Sequence, residues 1–313
     1  ASLLSMAGCL PHLVSLSLRQ WSQLSSETLA ESLPAFTRLR RLNLSLVPAL
    51  DDHALEALAS HCTQLQSLNA NGTRVTDTGV GALARLPWLS ELCLHNCENV
   101  AGDFLLRFCA LPTTPKTGQL SIDALHSFPV EEANSRPSNS LQYLSLSHCS
   151  RVTDRLLQFL APCSPLLRRL RLDNCTAVSD PGITALAKHC RLRELSVVGC
   201  PQVSSESLNM LEQHCTTLEA LSLGRHKIRE VHRQAFLAAR PDVALCLCGK
   251  TWVHVPAQQE GYQVLPLQAS NQVESNTQRG APAAESEPEE ASAGMTAVGP
   301  AALSSSSSSS AFS

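Results

Sequence analysis

The chain is poor in the residues that carry most enzymatic chemistry and most nucleic-acid binding. Of its 313 residues, 4% are aromatic and 16% are charged, and the net charge is −3. Without a block of lysine or arginine, the sequence offers no electrostatic match for a phosphate backbone, so nucleic-acid binding is not expected. It also lacks a glycine loop of the form G-x-x-x-x-G-K and any metal-ligand set of recognised spacing. We therefore expect no cofactor, no metal and no catalytic centre.

Long apolar runs are missing as well. No stretch reaches the roughly 18 apolar residues that a membrane helix needs, and nothing near residue 1 reads as a signal peptide. The thirteen cysteines are an odd number scattered along the chain, which argues against a complete disulfide framework. We expect a protein with reduced thiols and no membrane contact, located in the cytoplasm, the nucleus or both.

Leucine, by contrast, is abundant, and the leucines repeat. The pattern L-x-x-L-x-L-x-x-C aligns along the chain with steps of 24–26 residues, apart from one step of 52. The fourth position is leucine in every copy, from Leu16 to Leu221. A further strand is expected to start near Val243. The first leucines of the copies are Leu13, Leu39, Leu65, Leu89, Leu141, Leu167, Leu192 and Leu218.

Each copy changes its apolar period halfway. The leucines of the first half alternate with other residues, which predicts a short strand with one buried face. In the second half, as in Val178-Ser179-Asp180 leading into Ile183 and Leu186, the spacing of three to four residues predicts a helix. Ser or Asp at the start of this segment is expected to cap the free N–H groups of the helix. Stacked copies would bury one continuous core between a parallel concave sheet and convex helices.

This pattern resembles the cysteine-containing subtype of leucine-rich repeats. The resemblance covers about residues 9–248, with a gap at 110–140. It implies an α/β fold, a right-handed solenoid shaped like a horseshoe. The stretch 163–189 carries the pattern most completely, with Cys163, Leu167, Leu170, Leu172, Cys175, Val178, Ser179, Asp180, Ile183 and Leu186.

The predicted repeats divide the chain into five parts. Repeats fill residues 1–109, which start in the middle of the solenoid, and residues 141–248. Residues 110–140 contain four prolines and are interpreted as an irregular insertion or a degenerate repeat. Residues 249–267 are unusually apolar, and they either cap the last repeat or help to hold a partner. Residues 268–313 are rich in Ser, Ala, Pro and Glu, which predicts a disordered tail.

The repeat subtype is similar to the repeat half of leucine-rich-repeat F-box proteins, which are substrate receptors of Skp–cullin–F-box ubiquitin ligases. This resemblance implies a protein substrate on the concave face. A Skp-type adaptor and a cullin are implied only if an F-box lies upstream of Ala1, because residues 1–8 look like the end of an earlier repeat's helix. The alternative is a repeat-only adaptor or scaffold without a ligase role, and an F-box separates the two.

The cysteines fall at fixed places of the repeat. The ninth position holds Cys97, Cys149, Cys175 and Cys200, and the helices end near Cys62, Cys109, Cys163, Cys190 and Cys215. A nucleophile occurs once in a fold, so these recurring cysteines are interpreted as core residues rather than as parts of a thiol enzyme. Cys246, Cys248 and His254 lack a usual zinc spacing, and the two cysteines are assigned to packing on the last repeat.

The candidate binding surface lies at the outward-facing strand positions. The third, fifth and seventh positions of each strand are expected on the concave face, and the larger side chains gather in the middle copies. Tyr and Arg are the side chains that most often anchor interfaces. The alternative is an ordinary solvated polar face. The candidate partner-binding residues are Arg41, Asn43, Asn69, Glu91, His95, Tyr143, Arg169, Arg171, Asp173 and Glu194.

The register predicts that Leu144 lies in the core of the solenoid. Leu144→Ala should therefore lower the free energy of unfolding by about 2–5 kcal/mol, because it removes buried methyl groups and leaves a cavity. Urea denaturation followed by circular dichroism measures this cost. A cost near zero would mean that the register is wrong.

Overall fold

The computed structural model describes residues 12–108, 140–224, 228–247 and 251–254, together with Leu3 and Leu10. All of these belong to one compact unit, Ala1–Ala269. The insertion predicted at 110–140 lies outside the described residues except for Ser140. The tail predicted at 268–313 and most of the segment 249–267 also lie outside them.

Strands and helices alternate along the described chain. The strands are β1 (Ser15–Ser17), β2 (Arg41–Asn43), β3 (Ser67–Asn69), β4 (Glu91–Cys93), β5 (Tyr143–Ser145), β6 (Arg169–Arg171), β7 (Glu194–Val197), β8 (Ala220–Leu223), β9 (Ala244–Leu247) and β10 (Thr251–His254). The helices are α1 (Ser26–Ser32), α2 (Asp52–His61), α3 (Asp77–Ala82), α4 (Leu105–Phe108), α5 (Asp154–Cys163), α6 (Asp180–His189), α7 (Ser205–His214) and α8 (Glu230–Ala239). Short 3₁₀ turns, Leu33–Ala35 and Leu83–Arg85, extend α1 and α3.

All ten strands form one sheet in chain order. From β1 to β9 every pair of neighbours is parallel, and the fourth-position leucines lie side by side, as in Leu16 beside Leu42 and Leu144 beside Leu170. β4 pairs directly with β5, although the long step of the repeat pattern separates these two strands in the sequence. The last pair differs, since β10 returns antiparallel to β9, a hairpin that the sequence pattern does not specify.

The core is the stack of leucines that the repeat pattern predicts. The first, fourth and sixth positions are buried from the second copy to the last, and Leu42, Leu68 and Leu144 are at most 2% exposed. Leucines of the helices, such as Leu58 and Leu186, close the core from the other side. The predicted α/β leucine-rich-repeat solenoid, with a parallel sheet and alternating helices, is confirmed.

Seven copies turn out of their strands through a left-handed residue. The eighth position has a positive φ in seven copies, and glycine fills it only twice, as Gly72 and Gly199. The others are Gln20, Leu46, Asn96, His148 and Asn174, with φ between 57° and 62°. A side chain in this region costs roughly 1–2 kcal/mol, least for asparagine. The stacking of neighbouring copies therefore imposes this turn against the preference of Leu46.

At four helix starts, a carboxylate joins the helix to the following repeat. Asp180, the first residue of α6, accepts hydrogen bonds from Ser204 N at 2.8 Å, Ser204 Oγ at 2.6 Å and Ser207 Oγ at 2.5 Å. Asp154 accepts in the same way from Ser179 N and Oγ, at 2.7 and 2.5 Å. Asp52 and Asp77 repeat the arrangement earlier in the chain. We call these four aspartates the inter-repeat carboxylates.

The expected capping of α5 and α6 by their own Ser and Asp residues is wrong. The N-cap residues Thr153 and Ser179 make no side-chain cap hydrogen bond, and Asp154 and Asp180 lie inside the helices. Their carboxylates face the next repeat, where a backbone N–H and a hydroxyl are both available, so each gains more hydrogen bonds than a cap would give it. Thr76 and Ser204, in contrast, cap their helices as expected.

The close approach of these carboxylates explains why glycine occupies two positions of the following helices. A Cβ on Gly79 would lie 2.4 Å from Asp52 Oδ1, and one on Gly182 would lie 2.4 Å from Asp154 Oδ1. At both positions, a carboxylate of the preceding repeat occupies the space that a Cβ atom would need. A larger residue at either position would push the carboxylate away from its donors.

We predict that Asp180→Asn lowers the free energy of unfolding at pH 7 by about 1–3 kcal/mol, because a charged acceptor is lost from three hydrogen bonds. Burial raises the pKa of Asp180, but the hydrogen bonds from Ser204 and Ser207 outweigh it and hold that pKa below its usual value. The stabilisation is therefore present above the unfolded-state pKa and fades as the pH falls through the folded-state pKa. Urea denaturation between pH 7 and pH 3 measures both effects. Glu206→Gln, an exposed carboxylate on α7, is the control, and an equal cost in the two variants would contradict the prediction.

Candidate partner-binding face

The candidate residues lie on the face of the sheet opposite the helices. Within each strand the fourth-position leucine points into the core, and its two neighbours point away from it. The parallel register carries the third position from strand to strand, so Glu91, Tyr143, Arg169 and Glu194 are consecutive neighbours on β4 to β7. This row brings together charges that are far apart in the sequence.

Arg169 is the centre of the row. Its guanidinium lies 5.0 Å from the centroid of the Tyr143 ring and 3.6 Å from Glu91 Oε1, which belongs to a strand two places away. The Arg169 side chain therefore lies across the Tyr143 ring towards Glu91, and Glu194 is its neighbour on the other side. Arg169 and Glu91 keep 45% and 44% of their side-chain surface exposed, so a partner can reach both. The contacts hold the guanidinium in place before any partner arrives.

A second cluster, one step along the strands, is centred on Asp173. Its carboxylate accepts hydrogen bonds from Ser196 Oγ at 2.5 Å, Val198 N at 3.0 Å and Ser147 Oγ at 3.4 Å. Arg171 Nη2 lies 3.7 Å from Asp173 Oδ2. Asp173 therefore joins three neighbouring repeats and fixes the position of Arg171.

His95 stands at the edge of this cluster. Its ring packs edge-on against His148, with 4.6 Å between the centroids, and an Asn174 amide lies 2.9 Å from His148 Nε2. Burial, followed by the charges of His148 and Arg171, lowers the pKa of His95. On the other side, burial raises the pKa of Glu194, and Arg169 offsets only part of this. The lowered pKa favours the neutral form of the His95 ring, which can offer hydrogen bonds but carries no charge.

The structure brings seven of the ten predicted residues together and leaves three apart. Arg41 is exposed on β2, and its strand neighbour is Ser67. The side-chain oxygens of Asn43 and Asn69 accept hydrogen bonds from residues just after their own strands, from Ser45 N at 3.0 Å and Asn71 N at 3.1 Å. These three residues lie in the first repeats, apart from the other seven, which we call the central group. The seven are Glu91, His95, Tyr143, Arg169, Arg171, Asp173 and Glu194.

Several serines of this face are buried although their positions point outward. Ser145, Ser147, Ser196 and Ser222 are 3–5% exposed. A small side chain on an inward-curving sheet lies below its larger neighbours, and Ser147 and Ser196 also bind Asp173. Position alone therefore did not identify these serines as supports of the charged residues. His148 and Asn174 were missed because the eighth position is not part of the alternating pattern.

The ninth-position cysteines form a line inside the core. Cys97, Cys149, Cys175 and Cys200 are at most 8% exposed, and each thiol donates to a backbone carbonyl of the preceding repeat, at 3.0–3.2 Å. Burial raises the pKa of Cys149 to about 12 and that of Cys200 to about 11. These thiols stay protonated at neutral pH and pack as donors in the core, which is opposite to the requirements of a nucleophile.

Other classes of site are not assembled in the described residues. In the ranges given above, no group of three or more His, Cys, Asp or Glu residues is placed to hold a metal ion. No helix in those ranges is long and apolar enough to cross a membrane. Cys246 is buried on β9 beside Trp252 of β10, and Cys248 lies outside the described residues.

Comparisons with known proteins agree with the repeat fold. The family model described as "Leucine Rich repeat" matches residues 163–187. The chain is similar to one in the crystal structure of the Rad7 and Elc1 complex in yeast, with 16% identity and a TM-score of 0.35 over 78% of this chain and 87% of that chain. It is also similar to internalin inlF of Listeria monocytogenes, with 18% identity and a TM-score of 0.41 over 72% of this chain and 62% of that chain. Internalin C2 of the same organism gives 18% identity and 0.40, over 69% and 80%.

The register of the sheet and the matched repeat define the class of protein. This is a leucine-rich-repeat solenoid, an α/β fold that typically serves as a protein-binding scaffold.

We predict that Cys97, Cys149, Cys175 and Cys200 resist iodoacetamide in the native protein at pH 8, because they are buried and protonated. Peptide mass spectrometry after native labelling and after labelling in urea gives the protected fraction at each site. Cys93 is the internal comparison, because it is partly exposed on the concave face, although burial raises its pKa to about 11. Rapid native alkylation of Cys175 would contradict the assignment to the core.

Proposed function

We propose that the central group of the concave face is the contact surface for a protein partner. The observation that carries this proposal is the row in which Arg169 lies across Tyr143 and between Glu91 and Glu194. Arg and Tyr are enriched among the residues that dominate binding energy. Because their side chains are already held by neighbours, little conformational freedom is lost when a partner binds.

We further propose that this partner is a substrate of a Skp–cullin–F-box ubiquitin ligase, and that the solenoid is the recognition part of that ligase. Support comes from the repeat subtype, in which a cysteine at the ninth position donates to the preceding repeat. This subtype resembles the repeat half of leucine-rich-repeat F-box proteins. A Skp-type adaptor and a cullin would then join through an F-box upstream of Ala1.

The alternative is an adaptor or scaffold that holds proteins together without a ligase. Both proposals assign binding rather than catalysis, which the protonated, buried thiols favour. Both also place the protein in the cytoplasm or nucleus, where buried thiols such as Cys62, Cys97 and Cys175 stay reduced. Cell fractionation followed by immunoblotting tests that location, and a secreted protein would overturn it.

We predict that replacing Tyr143, Arg169 and Arg171 together by alanine abolishes partner binding. Proteins cross-linked to the wild type in cells are identified by mass spectrometry and then measured again with the variant. The expected result is a loss of at least about tenfold for true partners, since interface anchors contribute about 2 kcal/mol or more each.

Two further variants make this experiment decisive. Arg74→Ala with Arg151→Ala changes two exposed arginines in the turns that follow β3 and β5, and it should leave partner binding intact. Arg169→Ala alone removes the centre of the row with little effect on packing, because the side chain is largely exposed. Undiminished binding in both the triple and the single variant, with unchanged thermal unfolding, would exclude the concave face as the contact surface.

The ligase proposal has its own test. The endogenous protein is immunoprecipitated from cells and probed for a Skp-type adaptor and a cullin, and the stability of its cross-linked partners is followed after it is depleted. Co-precipitation of the adaptor, with longer partner lifetimes, is expected of a substrate receptor. Stable partners that associate without adaptor or cullin would favour the repeat-only scaffold.

A further inference from the structure

A second surface follows the edge of the sheet where the strands start. The first leucine of each repeat points into the core, so the residue before it and the residue after it face outward at this edge. We call these flanking residues, in the repeats that begin with Leu13 to Leu192, the strand-start rim. All of them are exposed or partly exposed.

The rim differs in charge from the rest of the chain. The protein has a net charge of −3, yet no rim position is acidic. Apart from His12 at its first position, the charged residues of the rim are arginines. The first acidic residue at an equivalent position is Glu219, which belongs to the next repeat. The rim arginines are Arg38, Arg40, Arg168, Arg191 and Arg193.

At one end of the rim, three arginines lie close together although their positive charges repel one another. The pairing of Arg169 with Glu194 puts Arg168 beside Arg193 on adjacent strands, about 4.8 Å apart along the sheet. Arg168 Nη1 points at the backbone carbonyls of Pro165 and Arg191, at 3.4 and 3.3 Å, rather than at a carboxylate. Arg193 has one acidic neighbour, Glu219, at 3.4 Å. Three arginines beside the one carboxylate of Glu219 leave excess positive charge at this end of the rim.

Exposed apolar side chains accompany the arginines along the rim, and one of them, Trp88, lies between the two basic ends. Among the described residues, six large hydrophobic side chains are exposed, and three of them are on the rim. Trp88 is 62% exposed, Leu166 is 45% exposed and Val14 is 42% exposed. Trp88 lies two repeats after the arginines that flank Leu39, and Leu166 directly precedes the second group. Tryptophan and arginine are both enriched among the residues that dominate binding energy.

From this arrangement we infer that the strand-start rim is a docking surface for an acidic polypeptide segment with apolar residues in its middle. Four strand spacings separate the two basic ends, about 20 Å, which an extended chain of about six residues spans. The uncharged stretch between the ends fits a polypeptide better than a nucleic acid, whose phosphates would meet no positive charge there. The rim backbone is already hydrogen-bonded between repeats, as in Arg193 N to Arg168 O, so recognition falls to the side chains.

The probe is a fluorescein-labelled peptide of about 14 residues with glutamates at both ends and leucine and serine between them, followed by fluorescence anisotropy with the full chain. Binding is expected to weaken as salt is raised, since exposed charges are screened. Replacing Arg168, Arg191 and Arg193 together by serine should weaken it at least about tenfold. Trp88→Ala should weaken it with little change in the salt dependence, because it removes apolar contact only.

A matched variant and two competing ligands decide the outcome. Arg74, Arg151 and Arg229 are exposed arginines outside the rim, and replacing all three by serine changes the net charge equally. This control should bind the peptide as the wild type does. The inference is overturned if the wild type does not bind the peptide, or if the control variant loses as much affinity. Tighter binding of single-stranded RNA or phosphatidylserine vesicles through the same three arginines would overturn it as well. None of these results depends on the concave-face variants, so this inference and the proposed function are tested separately.

Discussion

The structure depends on one repeated contact, in which the fourth-position leucine of a strand lies beside the same leucine of the next strand. This contact holds nine strands in a single parallel register and excludes water from the space between sheet and helices. Because the register never slips, every other position of the repeat also stacks on its equivalent. The line of thiols, the left-handed turns, the inter-repeat carboxylates and both candidate surfaces are consequences of that alignment.

Leucine spacing was enough to predict the fold, since the period of two and the later period of three to four are directly visible in the sequence. The same pattern placed Tyr143 and Arg169 on an outward face. It did not show that Arg169 would reach Glu91 across the tyrosine, because the irregular step of 52 residues in the repeat lies between those two residues. The contact exists only because β4 and β5 are direct neighbours in the sheet, which the spacing of the repeats does not show.

Other features were missed for a different reason. The left-handed turn is occupied by glycine or asparagine in four copies but by Gln20, Leu46 and His148 in the other three, so no single residue type reveals it. Asp154 and Asp180 looked like helix caps because the donors that they bind belong to the next repeat. The basic rim was invisible as a charge cluster, since its arginines are spread between residues 38 and 193 and only the stacking of repeats aligns them. In each case the missing information concerns contacts between repeats, whereas the sequence pattern describes contacts within one.

The inter-repeat carboxylates give the solenoid a polarity. Each aspartate accepts its hydrogen bonds from the repeat that follows it, as Asp52 does from Thr76 and Asp180 from Ser204. If the following repeat detaches, the carboxylate is left in water, where it is well solvated. If the preceding repeat detaches, the next helix loses the acceptor of a backbone N–H at its start. The same hydrogen bonds are lost whichever of the two repeats detaches, so each inter-repeat carboxylate couples the unfolding of its own repeat to that of the next one.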